Sequence, residues 1–180
     1  MTTNRVPLRV AIGGRMQVGK TTAADWLVAR HGFVKYALAT PIKEIAREGF
    51  GWDGAKDARG RRLLQEVGTV GRNYDRDLWL DRFAARLVAD SAPRAVVDDL
   101  RLAREAEYLE RLGFACVLVT RPARLVPAID GAADTARHET ETEIEGVDVV
   151  ATLDNAGTFD ELHGRLDRLV AGLESARRRA

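Results

Sequence analysis

The sequence predicts an α/β fold of three layers, a mainly parallel five-stranded sheet covered by helices on both faces. Three observations predict it. Short β-branched runs alternate along the chain with segments whose apolar residues recur every three or four positions. The run Ala115–Thr120 is almost continuously apolar, as a strand buried on both faces of a parallel sheet should be. A glycine-bounded octapeptide separates the first strand from the first helix.

The elements follow in order. Leu8-Arg-Val10-Ala-Ile12 alternates apolar and polar and reads as a strand. Gly14-Arg15-Met16-Gln17-Val18-Gly19-Lys20-Thr21 then fits G-x-x-x-x-G-K-[ST], the phosphate-binding loop of P-loop NTPases. Its glycines permit positive φ without a Cβ clash, and successive N–H groups can then cradle an anion. Lys20 reaches β- and γ-oxygens, and the Thr21 hydroxyl ligates Mg²⁺. Thr22 opens a helix whose amino end adds partial positive charge, and His31-Gly32 supplies its carboxyl cap. Phe33–Ala37 is a short strand. Pro41 starts a helix through about Glu48. Gly49–Gly60, glycine-rich and charged, is expected as a loop, and Arg61–Val67 as helical. In Leu78–Ala89, Trp79, Phe83 and Leu87 mark one helical face.

Ala95-Val96-Val97 is a strand ending in Asp98-Asp99. Leu102, Ala106, Leu109 and Leu112 stripe the next helix, stopped by Gly113. After the strand Ala115–Thr120, residues 121–146 are polar, charged and broken by Pro122, Pro127 and Gly131, as a mobile lid would be. Val147–Leu153 is the fifth strand. Phe159, Leu162, Leu166, Leu169, Val170 and Leu173 form the stripe of a terminal helix, and Arg177–Arg179 is expected as a solvated tail.

Asp98 and Asp99 fall at the carboxyl edge of the sheet, where open α/β sheets bind ligands. A carboxylate there can hold Mg²⁺ directly or through water. Adjacent side chains in extended backbone point to opposite faces, so one of the pair is expected to face the metal. Capping the following helix is the competing role. Arg101 can grip phosphate through two parallel hydrogen bonds. An anionic phosphate acceptor needs positioning and charge neutralisation more than a base. Several candidate cations beside one obvious carboxylate pair therefore favour a phosphate acceptor over an alcohol.

Several segments together resemble the deoxynucleoside monophosphate kinases of tailed bacteriophages and related bacterial proteins. Leu38-Ala-Thr40-Pro41-Ile-Lys43-Glu44 is similar to their F-A-D-P-L-K-E. Leu64-Gln65-Glu-Val-Gly68-Thr-Val70-Gly71-Arg72, with Trp79 following, is similar to L-Q-x-[LI]-G-T-x-x-G-R…W. Val97-Asp98-Asp99-Leu-Arg101 with Glu105-Ala106 resembles D-x-R-x-x-x-E-A, His138-Glu-Thr-Glu141 resembles H-x-S-E, and Asn155-Ala-Gly157-Thr158 with Leu162 resembles the closing N-x-G-[ST]-x-x-x-L. Thr40, Val70 and Thr140 depart from the usual Asp, Trp and Ser, the first two in the acceptor region.

The resemblance implies transfer from ATP, with Mg²⁺, to a (deoxy)nucleoside monophosphate. Lys43, Arg72 and Arg101 would then hold the acceptor phosphate beside Asp98, and Gln65 its base. Trp79 would stack on the base or support the core, with its place on an apolar stripe favouring the core. Lys20, Arg101, Asp99 and Arg137 would carry catalysis. Thr21 and Asp99 would serve the metal, and Arg121, with Arg124 and Arg137, would close over the triphosphate. Three readings stay open beside this one: another small-molecule P-loop kinase, such as a phosphomevalonate-type enzyme; a kinase acting on a hydroxyl group of DNA; and a non-catalytic nucleotide-binding protein.

The 180 residues suit one domain spanning 1–180, with an acceptor-binding region at about 38–80. A hydrophobic share of 46% with 31% charged residues excludes a disordered chain. A net charge of +1 gives no polyanion signature, so stable nucleic-acid binding is not expected. Cys116, the single cysteine, sits in an apolar run, which excludes an intramolecular disulfide. His31, His138 and His163 show no metal-ligand spacing. No run is long enough to span a bilayer, and no signal core is evident. A cytoplasmic protein with a small-molecule nucleotide substrate is expected. A homodimer is left open.

Overall fold

The computed structural model describes residues 7–55, 57–122 and 147–179. Its strands are β1 (Leu8–Gly13), β2 (Val34–Tyr36), β3 (Arg94–Leu100), β4 (Phe114–Thr120) and β5 (Ala151–Asp154). Its helices are α1 (Lys20–His31), α2 (Thr40–Phe50), α3 (Ala58–Tyr74), α4 (Leu78–Asp90), α5 (Ala103–Arg111) and α6 (Phe159–Arg179). The strands form one sheet in the order β2-β3-β1-β4-β5, and every neighbouring pair is parallel. This is the α/β architecture the alternation predicts. From β1 the chain moves to the β2 side, and from β3 it crosses back to β4. That reversal beside β1 is the kind of switch point at which open α/β sheets bind ligands. The glycine-bounded loop leaves β1 at this point.

Packing resolves two compact units, Met1–Tyr36 with Ala92–Ala180, and Ala37–Ser91. The first contains the sheet. Val10, Ile12, Val96, Val117 and Val119 project from the strands onto Ala23, Ala24 and Leu27 of α1 and Leu162, Leu166 and Val170 of α6, forming its main core. Cys116, alternating with Val117, instead meets Ala106 of α5, whose carbonyl its Sγ approaches at 3.8 Å. The period of two therefore places α5 on the opposite face from α1 and α6. Arg177 departs from the solvated-tail expectation. It donates to the carbonyls of Pro7 and Gly113, tying the end of α6 to the segments leading into β1 and β4.

The second unit consists of α2, α3 and α4. The predicted loop Gly49–Gly60 is shorter than expected, because both flanking helices are capped. Gly51, at φ 65°, ends α2: its N–H donates to the Arg47 carbonyl and that of Trp52 to the Ala46 carbonyl, each at 3.1 Å. Asp57 begins α3 by accepting from the Gly60 N–H at 2.7 Å. α3 also continues seven residues past Val67, through Gly68 and Gly71. The cause is Trp79 of α4, whose indole donates to the Gly68 carbonyl at 2.9 Å. A Cβ on Gly71 would stand 2.2 Å from its ring, so only glycine admits the indole there. Helix propensity loses to this contact.

β3 holds Asp98 and Asp99 near its carboxyl end, as expected, and runs one residue beyond them to Leu100. Neither caps α5. Leu102 occupies the N-cap, and Glu105 reaches back, accepting from the N–H groups of Arg101 at 2.9 Å and Leu102 at 3.1 Å.

Candidate active site

The loop between β1 and α1 has the backbone its glycines predict. Gly14 lies at φ 135° and Gly19 at φ 104°. A Cβ on Gly14 would stand 2.3 Å from the Val119 carbonyl oxygen, so the loop runs hard against β4. Gln17 also adopts a left-handed conformation, at φ 62°. Arg15, Met16 and Gln17 are exposed, while Val18 is anchored in the core. Gly19 is the N-cap of α1 and offers no side chain to the first-turn amides, and no acidic residue lies in that turn. The first-turn amides of α1 thus receive no side-chain cap from Gly19 and meet no acidic residue of their own turn, as suits an anion.

The Lys20 ammonium folds back onto its own loop, donating to the carbonyls of Gly14 and Arg15 at 2.6 Å each. A phosphate oxygen is a stronger, charged acceptor in the same reach. The glycine-only backbone, the amino-terminal amides and one ammonium suit a polyphosphate. The Thr21 hydroxyl and the β3 carboxylates are oxygen donors, which suit a hard cation such as Mg²⁺. Among the described residues no group of three His, Cys, Asp or Glu side chains is placed to hold a metal by itself. Mg²⁺ commonly binds through one or two carboxylates plus substrate phosphates, so the donor set fits that mode.

Asp98 and Asp99 sit at an irregularity. β1 and β3 are in register from Leu8↔Arg94 to Ala11↔Val97, but Gly13 then pairs with Leu100. One extra residue of β3 is accommodated there, so strict alternation does not run unbroken through the pair. Asp98 is mostly buried at 12% side-chain exposure, and its carboxylate meets the Lys35 ammonium of β2 at 2.9 Å. Lys35 also reaches Asp25 of α1 at 3.0 Å. These hydrogen bonds and charges outweigh partial burial and hold the Lys35 pKa above its ordinary value. Asp98 therefore lies on the α1 side, where Asp25 stands one turn after Thr21. Asp99 acts electrostatically on Glu105 of α5. Burial, reinforced by Asp99, pushes the Glu105 carboxyl up despite its two backbone donors.

Arg101 is exposed just beyond β3, and Arg121 is half-buried just beyond β4. Arg137, Arg124, His138 and most of the predicted lid lie outside the described residues. In the second unit Lys43 is half-buried on α2, while Gln65 and Arg72 are exposed on α3. Seven residues apart, Gln65 and Arg72 share one face of that helix. Between them Thr69 accepts a long hydrogen bond from Arg72 at 3.4 Å. Trp79 is buried at 7% exposure against α3, which makes it a core residue.

Sequence reasoning missed two residues here. Lys35 carries no motif, and only strand pairing brings it to Asp98. Asn155 was noticed only as part of a resembling segment. It is the single buried polar residue among those described, and its amide donates to the Val18 carbonyl of the glycine-bounded loop at 2.8 Å.

No protein-family model matches the chain. It is 26% identical over 189 residues to a protein of Acanthamoeba polyphaga mimivirus named "Putative deoxynucleotide monophosphate kinase", covering 87% of this chain and 93% of that protein. It is 30% identical over 144 residues to the uncharacterized protein ORF77 of Ictalurid herpesvirus 1, covering 76% of this chain but only 58% of that longer protein. Among solved structures, TT1252 from Thermus thermophilus superposes with a TM-score of 0.59 at 21% identity, covering 93% of this chain and 98% of the other. A "putative kinase" from Chloroflexus aurantiacus J-10-fl gives 0.53 at 16% identity, covering 96% and 98%. The chain has the fold of P-loop kinases, and its sequence resembles the deoxynucleoside monophosphate kinases.

Proposed function

We propose that the protein transfers the γ-phosphoryl group of ATP to a (deoxy)nucleoside monophosphate, giving ADP and the diphosphate. The observation that carries this reading is the β1–α1 loop, in which Gly14 and Gly19 hold positive φ and the Lys20 ammonium lies on the loop's own carbonyls, an arrangement that suits a polyphosphate. The near full-length similarity to the mimivirus protein supports the choice of acceptor.

In this reading residues Gly14 to Thr22 hold the donor's phosphates, with Lys20 neutralising charge that builds between the β- and γ-positions. Bound MgATP supplies the phosphoryl group. Thr21 and one carboxylate of the Asp98–Asp99 pair would hold Mg²⁺, which would offset charge on the donor's phosphates. An acceptor phosphate oxygen attacks the γ-phosphorus in line, the bond to the β–γ bridging oxygen breaks, and ADP leaves. The acceptor is already anionic, so no general base is required. Lys43 and Arg72 of the second unit are the proposed cations for its charge and Gln65 the proposed partner of its base; Arg101 and Arg121, beyond β3 and β4, are the proposed cations of the sheet unit.

A coupled assay of ADP release across the common ribo- and deoxynucleoside monophosphates tests the proposal directly. Turnover with one or more of them is expected. Absence of turnover with all of them, in a preparation that binds ATP, excludes a monophosphate acceptor.

A further inference from the structure

Asn155 follows β5; its side chain meets the donor loop and its backbone is tied to β4. Its side-chain amide donates to the Val18 carbonyl at 2.8 Å. The same Nδ2 lies 2.4 Å from where a Cβ on Gly19 would stand, so it abuts that glycine directly. Its backbone N–H donates to the Thr120 carbonyl at 2.7 Å, fixing Asn155 to the end of β4. Val18 is meanwhile held by its own side chain, buried in the core beside Leu153 and Leu162.

A trans peptide is planar, with its C=O and N–H antiparallel. Holding the Val18 oxygen toward Asn155 therefore turns the Gly19 N–H away from it. A flip of that peptide would point a carbonyl where the loop should present a donor, and Gly19, lacking a Cβ, offers little steric resistance to such a flip. The buried amide supplies the resistance that the glycine cannot.

We propose that Asn155 is a positioning residue that locks the Val18–Gly19 peptide, so that the loop is organised for polyphosphate before any nucleotide arrives. This rests on the loop being a polyphosphate site and is independent of the acceptor's identity.

Calorimetric titration with inorganic tripolyphosphate and with ATP tests it on wild type, Asn155→Ala and Asn155→Asp. Loss of the hydrogen bond should weaken both ligands about tenfold. The acceptor KM should stay within about twofold. Asn155→Asp keeps the shape but sets a carboxylate against the Val18 oxygen, so it should bind more weakly than Asn155→Ala. The Gly19 amide should exchange with deuterium faster in both variants. An alanine variant of lowered Tm that binds tripolyphosphate as wild type does would show a merely structural residue and overturn the proposal. If Asn155→Ala does not fold, Asn155→Ser, too short to reach the Val18 oxygen, is read by the same criteria. A wild-type protein that binds neither ligand contradicts the kinase reading instead, which separates the two failures.

Discussion

Gln17 holds a left-handed backbone without being a glycine. For a residue with a Cβ that conformation costs about 1–2 kcal/mol, and it stands in the middle of the proposed donor loop. Gln17→Gly should raise unfolding free energy by up to about 1 kcal/mol in urea melts, offset in part by greater freedom of the unfolded chain. Lys20→Ala should leave the circular dichroism spectrum unchanged and lower kcat by about 100-fold or more, the scale of one removed charge-stabilising donor. Unchanged turnover would remove Lys20 from its assigned role. Arg101→Ala should raise the KM for the acceptor while ATP affinity changes little, and an effect confined to ATP would assign Arg101 to the donor. Gly14, Gly19 and Lys20 were legible because their requirement is local and contiguous. The Lys35–Asp98 ion pair was not, since its partners are 63 positions apart and meet through strand pairing.

At the scale of elements, the two irregular features of α3 and α5 each make a prediction. Gly71→Ala places a methyl group inside the Trp79 ring and should lower stability by about 1–3 kcal/mol through overpacking. Gly172→Ala, in α6 with nothing within 4 Å of the new Cβ, should instead raise it by about 0.5–1 kcal/mol. The contrast isolates packing from helix propensity. Glu105 makes the pH prediction. Its folded pKa is raised above the ordinary 4.5, mainly by burial. The stability this raised pKa contributes is present below the unfolded value and fades as pH rises through the folded one. Glu105→Gln retains an oxygen for the Arg101 and Leu102 amides without the buried charge. Its stability relative to wild type should therefore improve as pH is raised from about 4 to neutrality, followed by chemical denaturation at each pH. A constant difference would mean that Glu105 titrates as an exposed carboxylate does. Periodicity over Leu78–Ala89 and in the terminal stripe agrees with α4 and α6. The length of α3 was not, because a glycine that breaks an isolated helix is required where an indole from α4 lies against it.

For the whole molecule, the two compact units separate the proposed donor residues Gly14–Thr22 from the proposed acceptor residues Lys43, Gln65 and Arg72. Hydrogen exchange should follow that division. ATP is expected to slow exchange of amides in the β1–α1 loop and first turn of α1, and a nucleoside monophosphate to slow those of α2 and α3. Ligand at 100 times its dissociation constant should stabilise the state that binds it by about 2.7 kcal/mol. Protection of the β1–α1 loop by the monophosphate alone would reassign that loop to the acceptor. Alternating periodicity, cap residues and one contiguous octapeptide were enough to determine the alternation of the five strands and six helices among the described residues and the glycine-bounded β1–α1 loop, since each depends on neighbours close along the chain. Tertiary structure alone decided that Asp98 answers to Lys35 and lies beside α1, that a register slip interrupts β3 at the aspartate pair, that Trp79 belongs to the core, and that the Asn155 amide hydrogen-bonds to the Val18 carbonyl. Those outcomes arise where strands pair and helices pack, bringing together side chains whose separation in sequence carries no trace of their separation in space.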